Sequence, residues 1–159
     1  MRKYGWIALA VLAADQAAKW GARQLGGRAV TLIPGVLGLR YAENTGMAFS
    51  LLSGRPWLLG VLSLLLIAAG FLLLRRYRLG GLSRTAAMLM LGGAVGNMID
   101  RFATGYVVDM LEVLAFRFAI CNVADVALTV GCGLMVISLL LCPREWSAKE
   151  NGDTRGNAA

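Results

Sequence analysis

Apolar residues fall into four blocks: Tyr4 to about Gly21, Trp57 to Leu74, Thr85 to Ile99, and Ala119 to Leu141. A helix rises about 1.5 Å per residue, so blocks of about 17 to 25 residues match a hydrocarbon layer roughly 30 Å thick. The third block reaches that length when it is extended to Phe102. The pattern predicts an all-α integral membrane protein with four transmembrane helices in a single membrane domain, 1–142. Arg2 and Lys3 followed by WIALAVLAA also resemble the start of a cleaved signal peptide. Asp15 lies inside that block and no convincing cleavage site ends it, so the block is expected to persist as the first helix.

The segments between the blocks carry other signals. In RAVTLIPGVLGLRYAENTGMAFSLL, β-like runs flank a Pro34-Gly35 turn, and a second turn falls at Asn44-Thr45-Gly46. A small outward-facing sheet is expected over about 28–53. In ATGYVVDMLEVLAFRFA, Val107, Met110, Leu111, Leu114 and Phe118 recur at roughly helical spacing with Asp109, Glu112 and Arg117 between them. That pattern predicts an outer amphipathic element over about 102–119, lying in the interface plane. The polar, glycine-containing stretch 143–159 reads as a disordered cytoplasmic tail. No internal repeat of the kind that marks many transporters is present.

Composition agrees with a membrane setting: 58% of the 159 residues are hydrophobic, and mean hydropathy is +0.65. Charge gives the orientation. Arg2 and Lys3 precede the first block, Arg75, Arg76, Arg78 and Arg84 separate the second from the third, and Arg144, Lys149 and Arg155 follow the fourth. Cationic short loops stay in the cytoplasm, so both termini are expected inside. The net charge of +7 then reflects topology and contact with anionic phospholipid, and no nucleic acid partner is expected.

On this map the polar residues within or beside the blocks converge on the outer face. Asp15 lies in the outer half of the first helix. Asn97, Asp100 and Arg101 close the third, Asp109 follows in the loop, and Asn122 and Asp125 open the fourth. Asn97 and Arg101 share a helix face, as do Asn122 and Asp125. An ionisable residue at membrane depth costs about 2.5 to 3.5 kcal/mol on insertion scales, so it has a partner or a function. Asp100 beside Arg101 fits an interfacial ion pair. Two carboxylates among amides, Asp109 and Asp125, make poor helix glue and point to chemistry.

The chain has no histidine, which removes Ser-His and Cys-His nucleophiles and most catalytic zinc sites. Cys121, Cys132 and Cys142 are expected in the fourth helix, without metal-ligand spacing, and read as small apolar packing residues. No cofactor or metal is expected. Ser50 and Ser53 lack an obvious base, with Lys19 the one lysine left open for that role. Close carboxylates do not both ionise easily, so one holds a proton while the other accepts one from water, which suits amide hydrolysis. Two alternatives from other classes are a proton- or cation-coupled carrier using the intramembrane aspartates and a structural subunit.

Five stretches in order, AADQAAKW, ENTGMAFS, GGAVGNMIDR, GYVVDM and CNVADVAL, make the sequence resemble lipoprotein signal peptidase, the signal peptidase II family of bacterial membrane aspartyl proteases. The resemblance spans Asp15 to about Ala127. It implies a catalytic pair at Asp109 and Asp125, with Asn97, Arg101 and Asn122 lining the site and Asp15, Asn44 and Gly46 supporting it. It also implies the substrate: prolipoproteins whose future N-terminal cysteine carries diacylglycerol, cut on the N-terminal side of that cysteine. The expected setting is the bacterial inner membrane, with the site near the periplasmic face of a monomer. Met110 stands where phenylalanine often follows the VVD motif. Gly92 and Gly96 form a small-residue pair that allows close helix approach.

Overall fold

The computed structural model describes residues 2–46, 52–115 and 119–148. Four helices dominate: α1 (Gly5–Arg23), α2 (Pro56–Leu74), α3 (Gly81–Ala103) and α4 (Val123–Leu141). Each apolar block therefore became a helix, and their termini follow local chemistry. Pro56 occupies the first turn of α2, where its missing N–H breaks no hydrogen bond. Asn122 caps α4 by accepting from the Asp125 N–H at 2.9 Å, while the Asp125 carboxylate accepts from the Asn122 N–H at 3.2 Å.

The α3 helix is central and packs against α1, α2 and α4. Glycines set these crossings. A Cβ on Gly92 would come within 2.8 Å of Ala8 and Val11 on α1, and one on Gly93 within 2.5 Å of the Ala124 carbonyl on α4. The backbones lie too close for any side chain there, as the small-residue pair predicts. In α2 the buried residues are Leu59 and Gly60, near the outer-sheet end, and Phe102 packs on Gly60 and edge-on against Trp57.

By length and composition α2 and α4 are apolar enough to cross a membrane, with mean hydropathies of 2.6 and 2.2. The α1 and α3 helices fall below that standard because they bury Asp15 and Lys19, and Asn97 and Asp100, respectively.

At one end of the bundle lies a three-stranded antiparallel sheet ordered β1-β2-β4, from β1 (Ala29–Ile33), β2 (Leu37–Asn44) and β4 (Val107–Val113). The β1–β2 hairpin turns at Pro34-Gly35, and Gly35 takes the positive φ of 70° that such a turn requires. The expected amphipathic element is corrected here: VVDMLEV is a strand, and its first four residues are all buried. With both faces covered, the segment shows no polar alternation, and its apolar spacing mimics a helix. Val108 and Met110 pack with Ala22 of α1, fastening the sheet to the bundle. Residues 47–51 and 116–118, which belong to the two expected outer segments, lie outside the described residues.

At the opposite end β3 (Tyr77–Leu79) pairs with β5 (Trp146–Ala148). The start of the expected disordered tail is thus ordered. Trp146 stacks edge-on against Tyr77 and donates its indole N–H to Ser138, while the Glu145 carboxylate accepts from the Ser83 N–H in the first turn of α3. Residues 149–159 lie outside the described residues.

Candidate active site

The expected residues come together where the α1, α3 and α4 ends meet the sheet. Asp125 sits on the first turn of α4, where the aligned N–H groups favour negative charge. Its Oδ1 accepts from Asn97 Nδ2 at 2.8 Å and its Oδ2 from the Asn122 N–H. Asp109 comes from the interior of β4. Its Oδ1 accepts from Asn122 Nδ2 at 2.7 Å and its Oδ2 from Asn44 Nδ2 at 3.0 Å. Asn122 Nδ2 also reaches Asn97 Oδ1 at 3.1 Å, so two amides join the carboxylates into one network.

Both carboxylates line a cleft of about 470 Å³ with Asn44, Asn97, Arg101 and Cys121, and the cleft continues along α4 past Val126 and Val130. A second hollow, of about 350 Å³, lies behind β4 against α1, but its lining (Ala18, Leu39 and Met110 among others) carries no ionisable group. Only the first can support acid-base chemistry.

Burial pushes the Asp109 carboxyl up to about 6, with the charge of Asp125 adding to the rise and the Asn44 and Asn122 amides opposing it. Burial and the same two aspartates push the Cys121 thiol up, which keeps it neutral and a poor nucleophile. The expectation that the cysteines are helix packing residues is corrected at two positions: Cys121 precedes α4 and bridges to Leu111, and Cys142 follows its last turn.

Arg101 donates to the Asn97 carbonyl at 3.4 Å and to the Gly46 carbonyl at 3.2 Å, and the Gly46 N–H donates to Asn44 Oδ1 at 2.9 Å. The Asn44-Thr45-Gly46 turn is thereby held over the site, with Asn44 aimed at Asp109.

Asp15 stands one layer behind. Its Oδ1 accepts from the Ala124 N–H at 2.9 Å, and its Oδ2 pairs with Lys19 at 2.8 Å. The pairing of Asp100 is also corrected: its Oδ2 meets Lys19 at 3.0 Å rather than forming an interfacial pair with Arg101. Lys19 Nζ makes a third contact, to Asn97 Oδ1 at 3.0 Å. These bonds account for all three of its N–H groups, which leaves no free amine to serve as a base for serine. Sequence reasoning missed Lys19 and Asp100 as parts of the site. Their signal was a lysine four residues after Asp15 on the same face of an apolar helix.

A family model described as signal peptidase II matches residues 7–141. The chain belongs to this family. Among the relatives it is similar to are lipoprotein signal peptidases from Latilactobacillus sakei subsp. sakei, 39% identical over 89% of this chain and 95% of the relative, and Symbiobacterium thermophilum, 39% identical over 89% and 97%. Two solved structures, each described as a bacterial membrane enzyme, share the fold. One has a TM-score of 0.81 at 26% identity over all of this chain and 95% of that one; the other has 0.76 at 28% over 89% and 95%. Signal peptidase II membership makes the chain a protease, and the carrier alternative finds no support among these relatives.

Proposed function

We propose that this chain is a membrane-embedded aspartyl endopeptidase that removes signal peptides from diacylglyceryl-modified prolipoproteins, cutting on the N-terminal side of the lipidated cysteine, with Asp109 and Asp125 as its catalytic pair. The observation that carries the reading is that these two aspartates, from different elements, line one cleft through a shared amide network. Asp125, on a helix N-terminus, takes a proton from water as that water attacks the scissile carbonyl. Asp109, whose carboxyl is raised to about 6, holds the proton that it donates to the carbonyl oxygen. Collapse of the tetrahedral intermediate then returns a proton to the leaving amine. Asn97 and Asn122 hold the carboxylates in register, and Asn44, Gly46 and Arg101 close the sheet side.

All four helices cross the membrane in this reading, α1 and α3 turning their polar groups inward. Support comes from the exposed Trp6 and Trp20 near the two ends of α1, positions suited to the two interfaces. Arg75, Arg76, Arg78, Arg84 and Arg144 gather at the end away from the dyad, which favours cytoplasmic termini and a periplasmic site in a bacterial inner membrane. The apolar run of the cleft along α4, with Val126 and Val130 about half exposed, suits a substrate arriving from lipid as a single enzyme copy engages it.

The test is cleavage of a diacylglyceryl-modified prolipoprotein by purified protein in detergent, with Asp125→Asn alongside. Release of the signal peptide by the wild type alone is expected. Equal cleavage by both would move the catalytic group elsewhere.

A further inference from the structure

Lys19 is 1% exposed, and each of its three partners leads to a different part of the catalytic pair. Through Asp15 it reaches the Ala124 N–H, the residue before Asp125. Through Asp100 it reaches the Val108 N–H at 3.2 Å, the residue before Asp109. Through Asn97 Oδ1 it reaches the Asp125 carboxylate directly, because an amide whose oxygen accepts from an ammonium must present its N–H groups on the other side. That same oxygen accepts from Asn122, which donates on to Asp109.

We infer that Lys19 is a positioning residue for hydrolysis: one buried ammonium on α1 ties the strand that carries Asp109 to the helix that carries Asp125 from behind the site, and fixes the amide between them. The inference rests on the dyad reading above. Main-chain bonds from the Met110 and Leu111 N–H groups to the Cys121 carbonyl, each 2.8 Å, already hold β4 beside the residue that precedes the Asn122 cap; the relay through Asp100, Lys19 and Asp15 adds a second tie, from the residue before Asp109 to the residue before Asp125. Gln16 braces the same arrangement, its Nε2 donating to Asp15 and Asp100, each at 3.3 Å. A lysine that only neutralised charge would need one carboxylate. This one has two, and the backbone N–H groups they hold lie in separate elements.

The experiment compares the full-length wild type, Lys19→Met and Asp125→Asn in detergent against the same lipidated prolipoprotein, with kcat and KM separated and kcat/KM followed against pH. For Lys19→Met a fall in kcat of about 100-fold or more is expected, with KM within about threefold, because the groups that are misplaced act in the reaction and not in holding substrate. Loss of the cation also removes a charge that favours ionised Asp109, so the pH midpoint assigned to Asp109 moves upward. A purely structural lysine would lower the amount of folded enzyme and leave kcat and that midpoint unchanged.

Removing Lys19 alone leaves Asp15 and Asp100 buried without their cation. If that variant does not fold, the charge-balanced form carrying Lys19→Met, Asp15→Asn and Asp100→Asn takes its place, with the same kcat loss expected. A kcat within about threefold of wild type in whichever form folds, or a change confined to KM, overturns the role of Lys19. Normal cleavage by Asp125→Asn overturns the dyad itself. An inactive Asp125→Asn beside a fully active Lys19→Met leaves the dyad standing and removes Lys19 from it.

Discussion

Both ends of the α3–α4 pair are joined by buried polar groups, and the two junctions differ in a way that separates structure from chemistry. At the arginine-rich end, Ser83 and Ser138 share a hydrogen bond of 2.6 Å, and Ser138 also accepts from Trp146. The hydroxyl pair and the indole are neutral, and the carboxylate beside them, Glu145, accepts from the Ser83 N–H at the start of α3. At the sheet end the junction holds Asp15, Lys19, Asn97, Asp100, Asn122 and Asp109, all buried, together with the half-buried Asp125, and Asp109 and Asp125 face an open cleft. Neutral hydroxyls can fasten two helices at a modest free-energy gain. Carboxylates held at the wall of a cleft are a poor way to fasten anything, because burial opposes their charge, and their presence marks a site of reaction.

The comparison breaks most sharply at the dyad. Asp109→Asn and Asp125→Asn are each expected to lower cleavage by about 10³-fold or more while the protein still inserts and unfolds cooperatively, measured as initial rates on lipidated prolipoprotein beside a thermal melt. Turnover near the wild-type rate in either variant would refute the pair. Next comes Gly96→Ala. A Cβ there would stand 2.6 Å from Asp15 Oδ2, an oxygen already held by Lys19, so the carboxylate must shift. We expect a stability loss of about 1 to 3 kcal/mol and a fall in kcat of about tenfold or more. An unchanged kcat would show that the Asp15 layer does not govern the dyad.

The pH profile sharpens the comparison further. A carboxyl raised to about 6 loses its proton as pH rises through that value, so kcat/KM is expected to fall on the alkaline side with a midpoint near 6 when Asp109 is the acid. The Asn44 amide favours the ionised form, so Asn44→Ala moves that midpoint upward. A fall on the acidic side through the same value would exchange the roles of the two aspartates.

At the other junction Ser138→Ala leaves the Ser83 hydroxyl and the Trp146 N–H without their shared partner. The expected cost is about 1 to 2 kcal/mol in unfolding, with kcat unchanged. A matching loss of kcat would mean that the two junctions are coupled along the bundle. The smallest expected effect is none at all: EDTA leaves cleavage intact, since an aspartate pair activates water without a metal. Activity lost to EDTA and restored by a divalent ion would count against the mechanism.

The sequence by itself determined the four helices, because runs of apolar residues at that length have few other stable arrangements. It also determined the Pro34-Gly35 hairpin, through local turn chemistry, and marked Asp109, Asp125, Asn97 and Asn122 as out of place in apolar surroundings. Only the tertiary structure decided that VVDMLEV is a strand, since a run buried on both faces carries no periodicity by which to tell strand from helix. The tail's first residues were ordered in the same way, by a partner strand 67 or more positions away in the chain, from Leu79 to Trp146 at the nearest pairing and farther at the others, where composition speaks only of the local chain. Above all, it decided that Asp100 belongs to Lys19. Arg101 is its neighbour in sequence, but side chains on adjacent helical positions point apart, and the choice between Arg101 and Lys19 depends on which residues the packing of α1 against α3 brings to one point.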